Sequence, residues 1–193
     1  TRSEAIDGEV ARLLYASGCR NMSYSPESGA PTVLSRIKKK ITTDSVVRSI
    51  RAGFRQGMNI KCNIILGFPG ETFREVLQSY RFIIRMALAG AFDISVWAFS
   101  PYPGSELFAE ISEERKMTLD DAYFDSLRSY ADPSMTVSYS EHFTDRRLKA
   151  LRNFGTVLFY GAAWLRRPHR PFASLINVAR GRQESRSEMG LIN

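Results

Sequence analysis

The sequence predicts an α/β protein built on an open parallel sheet, in size half of a βα-barrel, followed by a mainly helical extension. Three observations predict it. Strand candidates at residues 19–24, 58–66 and 92–99 alternate with segments of helical periodicity, the pattern of βαβ units. Each strand candidate runs into a loop containing Gly and Pro. Beyond residue 110 strand signals weaken and helical ones dominate. Three strands do not close a barrel, so a partial one is expected.

The elements follow in order. Residues 3–17 place Ile6, Val10, Leu13 and Leu14 at helical spacing, and Gly18 stops them. The strand at 19–24 leads into the turn-rich Ser25-Pro26-Glu27-Ser28-Gly29-Ala30. Residues 43–56 put Val46, Val47, Ile50 and Phe54 on one helix face, before Gly57. The segment 58–66, MNIKCNIIL, ends in an apolar run and reads as a buried strand. Thr72 and Glu75 form a capping box at the start of the next helix. Its stripe is Val76, Leu77, Tyr80, Ile83, Ile84, Ala87 and Leu88, closed by Gly90. After the strand at 92–99, a helix over 118–130 is capped by Thr118 and Asp121. A short strand is expected at 135–140 and a long helix over 144–167. The division expected is a barrel part over 1–115 and a basic helical extension over 116–193.

Composition narrows the class. Hydrophobic residues make up 44% and charged residues 24%, as in an ordinary soluble globular protein. The cysteines, Cys19 and Cys62, are far apart, so a disulfide scaffold is not expected and a reducing cytoplasmic setting is. No secretory apolar segment opens the chain. It begins at Thr1 without an initiator methionine and is read as a piece of a longer polypeptide. Residues 1–145 hold 17 basic and 18 acidic residues, a net of −1, and residues 146–193 hold 10 basic and 2 acidic, a net of +8. The charge sits on a tail rather than on the body, so nucleic acid is not the expected partner.

That tail contains an apolar run, 154–165, bracketed by arginines and far shorter than the roughly 20 residues that span a bilayer. Gly155 and Gly161 point to close helix packing and Trp164 needs burial, so docking on the barrel is the favoured expectation. The alternative is peripheral contact of residues 146–193 with an anionic membrane, at its inner face, aided by Phe172, Leu175, Ile176 and Val178.

In a parallel α/β sheet, ligands gather at the loops beyond the C-terminal strand ends. Here those loops are Glu27-Ser28-Gly29, Gly67-Phe68-Pro69-Gly70-Glu71-Thr72 and Pro101-Tyr102-Pro103-Gly104. Glycine lets a backbone approach a ligand, and a carboxylate can hold an amine or a ribose hydroxyl. Glu71 reads as a charge at a helix N-terminus rather than as a ligand. His142 and His169 have no second metal ligand at useful spacing and are expected at the surface.

With Leu34, Lys38 to Lys40, the run Ile64-Ile65-Leu66 before Gly67, and Ser105-Glu106-Leu107, these loops resemble the second half of a radical S-adenosylmethionine (radical SAM) barrel, a partial TIM barrel. The likeness covers residues 18–108 and is closest to the group containing cobalamin-dependent methyltransferases and cyclases and the methylthiotransferases. The resemblance implies a four-iron, four-sulfur cluster that cleaves S-adenosylmethionine to a 5′-deoxyadenosyl radical for methyl transfer, cyclisation or another modification. It also implies an electron donor for the cluster, a small-molecule, tetrapyrrole or lipid-like substrate, and room for cobalamin. Carried over by position, Glu27, Ser28 and Gly29 would hold the amine or ribose of S-adenosylmethionine. Ile64, Ile65 and Gly67 would lie by the adenine, Pro69, Gly70 and Glu71 would shape the loop, and Tyr102, Pro103 and Gly104 would line the substrate side. No catalytic residue is assigned.

The sequence departs from the family in two ways. The C-x-x-x-C-x-x-C cluster motif is absent, and Cys19 and Cys62 cannot replace three thiolates, so they read as small buried hydrophobes and the chain alone as inactive. Ser25-Pro26 stands where an apolar strand residue is usual. The competing readings are a scaffold presenting the basic tail to RNA, a membrane or a protein, and another cofactor-binding α/β enzyme. The second would be favoured by a G-x-G-x-x-G or Walker sequence, and neither is present.

Overall fold

The computed structural model describes residues 6–168, except 131, 133 and 134. Phe172, Leu175, Ile176, Val178 and His169 lie outside the described residues. Three strands, β1 (Asn21–Glu27), β2 (Asn59–Leu66) and β3 (Asp93–Ala98), form one parallel sheet in the order β1-β2-β3. The sheet is open, with helices α1 (Gly8–Ala16), α2 (Pro31–Arg36), α3 (Thr43–Arg55), α4 (Phe73–Ala89), α5 (Glu106–Arg115), α6 (Asp121–Ser126) and α7 (Asp145–Arg166) around it. A 3-10 turn, Leu127–Tyr130, follows α6. The architecture is that of a partial barrel, with the three strands adjacent in chain order as expected.

Sequence chemistry places most boundaries. Thr72 and Glu75 form the reciprocal capping box of α4, and Gly90 ends it at φ 114 in the left-handed region. Thr42 caps α3, and Thr144 caps α7. The cap of α6 is Asp120 rather than Thr118 or Asp121, because the Asp120 carboxylate accepts both the Tyr123 N–H and the Thr118 hydroxyl proton. Two helices escaped sequence periodicity. α2 is one turn and a half, opened by Pro31, and α5 buries only Ile111 of its ten residues.

One sheet face is apolar. Tyr24, Ile60, Cys62, Ile64, Leu66, Ile94 and Val96 pack against α3, α4 and α7 in the main core. Cys62 is fully buried there, as expected of a small hydrophobe, while Cys19 is only partly buried at the core margin. α7 runs parallel to α4. Near their starts Arg147 lies over the Phe73 ring, and near their ends Arg167 donates to the carbonyls of Gly90 and Ala91. Gly155 permits this approach, since a Cβ there would stand 3.3 Å from Tyr80, 3.4 Å from Ile83 and 3.5 Å from Val96.

Two expectations for α7 fail. Around Gly161 there is open space, and Trp164 is 39% exposed. The inward positions belong instead to Leu148, Arg152, Gly155, Phe159 and Ala163. The segment 135–140 is not a strand. Its backbone groups are satisfied by side chains, with Arg152 on the Met135 carbonyl, Arg115 on the Tyr139 carbonyl and Asp145 on the Ser138 N–H. Arg152, 3% exposed, also donates to the Val96 carbonyl and so ties α7 to β3.

Candidate functional site

The second sheet face is polar, and it leads to the strand ends. Asn21, Ser23 and Ser25 of β1 alternate with the buried Met22 and Tyr24, and β2 repeats this with Asn59, Lys61 and Asn63. Asn63 sits at the centre. Its amide donates to the hydroxyls of Ser23 at 3.2 Å and Ser25 at 3.1 Å, and its carbonyl accepts from the Trp97 indole at 3.4 Å. Beside it in register, the buried Ser95 hydroxyl finds no partner among the described residues. The period-two polar positions in residues 59–63 carried this signal, but the apolar run that follows them outweighed it.

At the end of β1 the ladder slips between Tyr24 and Glu27, and Glu27 pairs with Ile64. The slip accommodates Pro26, which has no N–H to offer a ladder. Glu27 then takes φ 69, and the Ser28 N–H closes back on the Pro26 carbonyl at 2.9 Å. This is a γ-turn with positive φ at its centre, a strained conformation for a residue with a side chain. It sets the Glu27 carboxylate at the strand end, 3.2 Å from the Lys39 ammonium. Burial raises the carboxyl above its ordinary range, and Lys39 opposes the rise.

Ser28 and Gly29 turn the other way, onto α4. The Ser28 hydroxyl lies 3.2 Å from that of Ser79, and the Gly29 N–H donates to Ser79 at 3.0 Å. A Cβ at Gly29 would fall 2.6 Å from the Phe82 Cβ, so helix packing accounts for the glycine.

The loop after β2 is held at each of its backbone N–H groups. Glu71 is fully buried, and one carboxylate oxygen accepts from the Gly67 N–H at 2.5 Å and the Phe68 N–H at 3.3 Å. This corrects its reading as a helix-terminal charge. Glu71 precedes the cap Thr72, outside the first turn of α4, and the nearest free amides belong to its own loop. Burial pushes its carboxyl up to about 7 against the two N–H bonds, and its second oxygen finds no partner among the described residues. Gly70 donates to Glu141 at 2.7 Å, and the Pro69 carbonyl accepts from Arg36 at 2.7 Å. Glu75, although burial opposes ionisation, is held below its ordinary range by bonds from Thr32 and Thr72 and by Arg36.

Ile64 is packed in the main core, its side chain turned from the polar face. Ile65 faces the other way, against a second cluster of Ala30, Val33, Phe68, Phe99, Ile111 and Tyr139. That cluster draws the three strand-end loops together. Tyr102, Pro103 and Gly104 stand apart from it, exposed, with open space around Gly104 at φ 89. His142 is exposed, as expected. Arg36, Glu141 and Asn63 are the side chains that sequence reasoning did not single out, and Lys39 was named only within the run Lys38 to Lys40, because each acts through a distant partner.

Among the described residues no group of three His, Cys, Asp or Glu is placed to hold a metal ion. The residues described here therefore do not fit an iron–sulfur cluster. A strand-end carboxylate beside a polar sheet face does fit a ligand carrying an amine and hydroxyls.

Residues 1–83 match the family model described as the radical SAM superfamily. An uncharacterized methyltransferase of Pyrococcus horikoshii is 26% identical over 162 residues, 83% of this chain and 33% of that protein. A threonylcarbamoyladenosine tRNA methylthiotransferase of Treponema pallidum is 33% identical over 87 residues, 44% of this chain and 17% of that protein. A tRNA-2-methylthio-N(6)-dimethylallyladenosine synthase of Neisseria meningitidis is 37% identical over 83 residues, 41% of this chain and 18% of that protein. The chain thus spans about a third or less of the length of these relatives.

Proposed function

We propose, from the match of residues 1–83 to the radical SAM superfamily model, that β1, β2 and β3 form the S-adenosylmethionine side of the barrel in a larger enzyme that transfers a methyl group. The family implies S-adenosylmethionine and a four-iron, four-sulfur cluster. The similarity to the Pyrococcus protein named a methyltransferase extends over 83% of this chain, whereas that to the tRNA methylthiotransferase covers 44%. This difference favours methyl over methylthio transfer.

The observation that carries the reading is Glu27, held in a strained turn at the end of β1 with Lys39 beside it. In this reading its carboxylate receives the amine or ribose hydroxyls of S-adenosylmethionine. Such charge-assisted bonds are strong where solvent is partly excluded. The buried Glu71 fixes the loop after β2, so that the backbone around Ile65 to Gly67 offers a preformed wall for the adenine. Asn63, Ser23 and Ser25 offer donors and acceptors on the face toward the substrate. Bound S-adenosylmethionine would supply the sulfonium that is cleaved on accepting one electron, and a cluster supplying that electron would need ligands other than the described residues.

Equilibrium dialysis of S-adenosylmethionine against the intact protein under anaerobic conditions tests this. Glu27→Gln should weaken binding about tenfold, the loss of one hydrogen bond to a charged group. Unchanged affinity in both Glu27→Gln and Glu27→Ala would remove Glu27 from the site. The 193 residues alone, reconstituted with iron and sulfide, should show no cluster absorbance.

A further inference from the structure

α7 is apolar on two opposite faces. Its inner face is accounted for by α4 and β3, whereas the outer one is not, apart from the edge of Phe154, whose ring centroid lies 5.3 Å from that of Tyr80. At 100° per residue, Ala150, Phe154, Val157, Gly161, Trp164 and Leu165 fall within an arc of about 100° on the outer face. Phe154 is 54%, Val157 68% and Leu165 86% exposed. A helix lying between a sheet and water ordinarily carries polar residues on its outer face. This one presents four turns without an acidic group.

The charges around the stripe are of one sign. Arg146 and Arg147 continue it into the first turn, and Arg166 and Arg167 follow its end. On the neighbouring α4, Arg74 and Arg81 are exposed beside the exposed Phe73, Leu77 and Leu88. The acids of the two helices are Glu75 and Asp145, and both are engaged, Glu75 buried under Thr32 and Asp145 on the Ser138 N–H. A protein partner would have to bring its own acids to such a rim, whereas an anionic lipid surface supplies phosphates around an apolar interior. Trp164, half exposed near the arginines, is the residue type that settles at the headgroup level. No helix among the described residues is long and apolar enough to cross a membrane, so the contact is along the helix rather than through the bilayer.

We propose that the outer face of α7 is a docking surface for anionic lipid, with Phe154, Val157, Trp164 and Leu165 entering the headgroup–acyl boundary and Arg146, Arg147 and Arg166 meeting lipid phosphates. The surface lies on the helix side of the sheet, away from the polar face, so a docked protein keeps its strand-end loops free. Apolar insertion supplies the affinity and the arginines supply selectivity for charged lipid.

Co-sedimentation of the intact protein with vesicles tests this, using phosphatidylcholine alone and phosphatidylcholine mixed with phosphatidylserine, at low and high salt. The protein should sediment with the anionic vesicles, less at high salt, and Trp164 emission should shift to the blue on binding. Val157→Glu combined with Leu165→Glu, both at exposed positions that leave the core intact, should cut the bound fraction about tenfold or more. Failure to bind anionic vesicles at low salt overturns the proposal. So does equal binding to neutral vesicles, or binding that the double variant leaves unchanged. Finally, a dimer in solution that the double variant dissociates would assign the stripe to a second copy of the chain instead.

Discussion

Replacing Glu71 by Gln isolates the cost of a buried carboxylate in the loop after β2. The Glu71 carboxyl is pushed from its ordinary 4.5 up to about 7 by burial, with the Gly67 and Phe68 N–H groups opposing the rise. Between those two values the folded state holds a proton that the unfolded chain releases. Stability therefore falls as pH rises through this window and levels off above it. The gap between 4.5 and about 7 corresponds to about 3 kcal/mol at 1.36 kcal/mol per pH unit. Gln keeps an oxygen for the two N–H donors and cannot ionise. Its amide nitrogen replaces the oxygen that has no partner, and costs about 1–3 kcal/mol at every pH. The single-pH difference between the two proteins is thus ambiguous, but its change with pH is not. Urea unfolding of both at intervals from pH 4.5 to 8 should show the natural protein losing about 3 kcal/mol relative to Glu71→Gln. Groups that do not act on Glu71, Glu27 among them, are common to both and cancel, whereas Glu75, whose charge adds to the rise at Glu71, loses that repulsion in Glu71→Gln. Parallel stability curves would refute the argument and show that water reaches this carboxylate.

Glu27→Gly should raise stability by about 1 kcal/mol, since glycine accepts φ 69 without strain, while weakening S-adenosylmethionine binding; a calorimetric melt and a binding isotherm read the two effects separately. Gly29→Ala should lower stability by about 2–3 kcal/mol in urea, because the added Cβ would sit 2.6 Å from the Phe82 Cβ and 2.7 Å from the Ser79 Cα. Arg152→Met, which fills a similar space but donates nothing to the carbonyls of Val96 and Met135, should cost about 2–3 kcal/mol and loosen α7, seen as faster amide exchange in that helix.

What was legible in the sequence was local. Thr72 with Glu75, Gly90 and the apolar stripe are enough to build α4, because caps and stripes act over one or two turns, although of that stripe Val76, Tyr80, Ile83 and Ala87 are buried while Leu77 and Leu88 are exposed. The alternation of helix and strand in turn implies a parallel sheet with adjacent strands, since a parallel connection needs a crossover. By the same local logic Glu27 is expected in the loop beyond a strand at 19–24, whereas β1 runs from Asn21 to Glu27 and ends on it in a strained turn.

Tertiary structure decided what each strand-end group touches. Lys39 beside Glu27, Glu141 on Gly70 and Arg36 on Pro69 join positions 12, 71 and 33 residues apart, and no short-range preference encodes such pairings. Glu71 looked like a helix-terminal charge because its neighbours in sequence say so, yet burial and two loop amides set its chemistry. α7 shows the same divide. Its length and cap follow from the sequence, but with apolar residues on two opposite faces only the position of α4 and β3 could decide which face, Gly155 and Phe159 or Gly161 and Trp164, was turned inward.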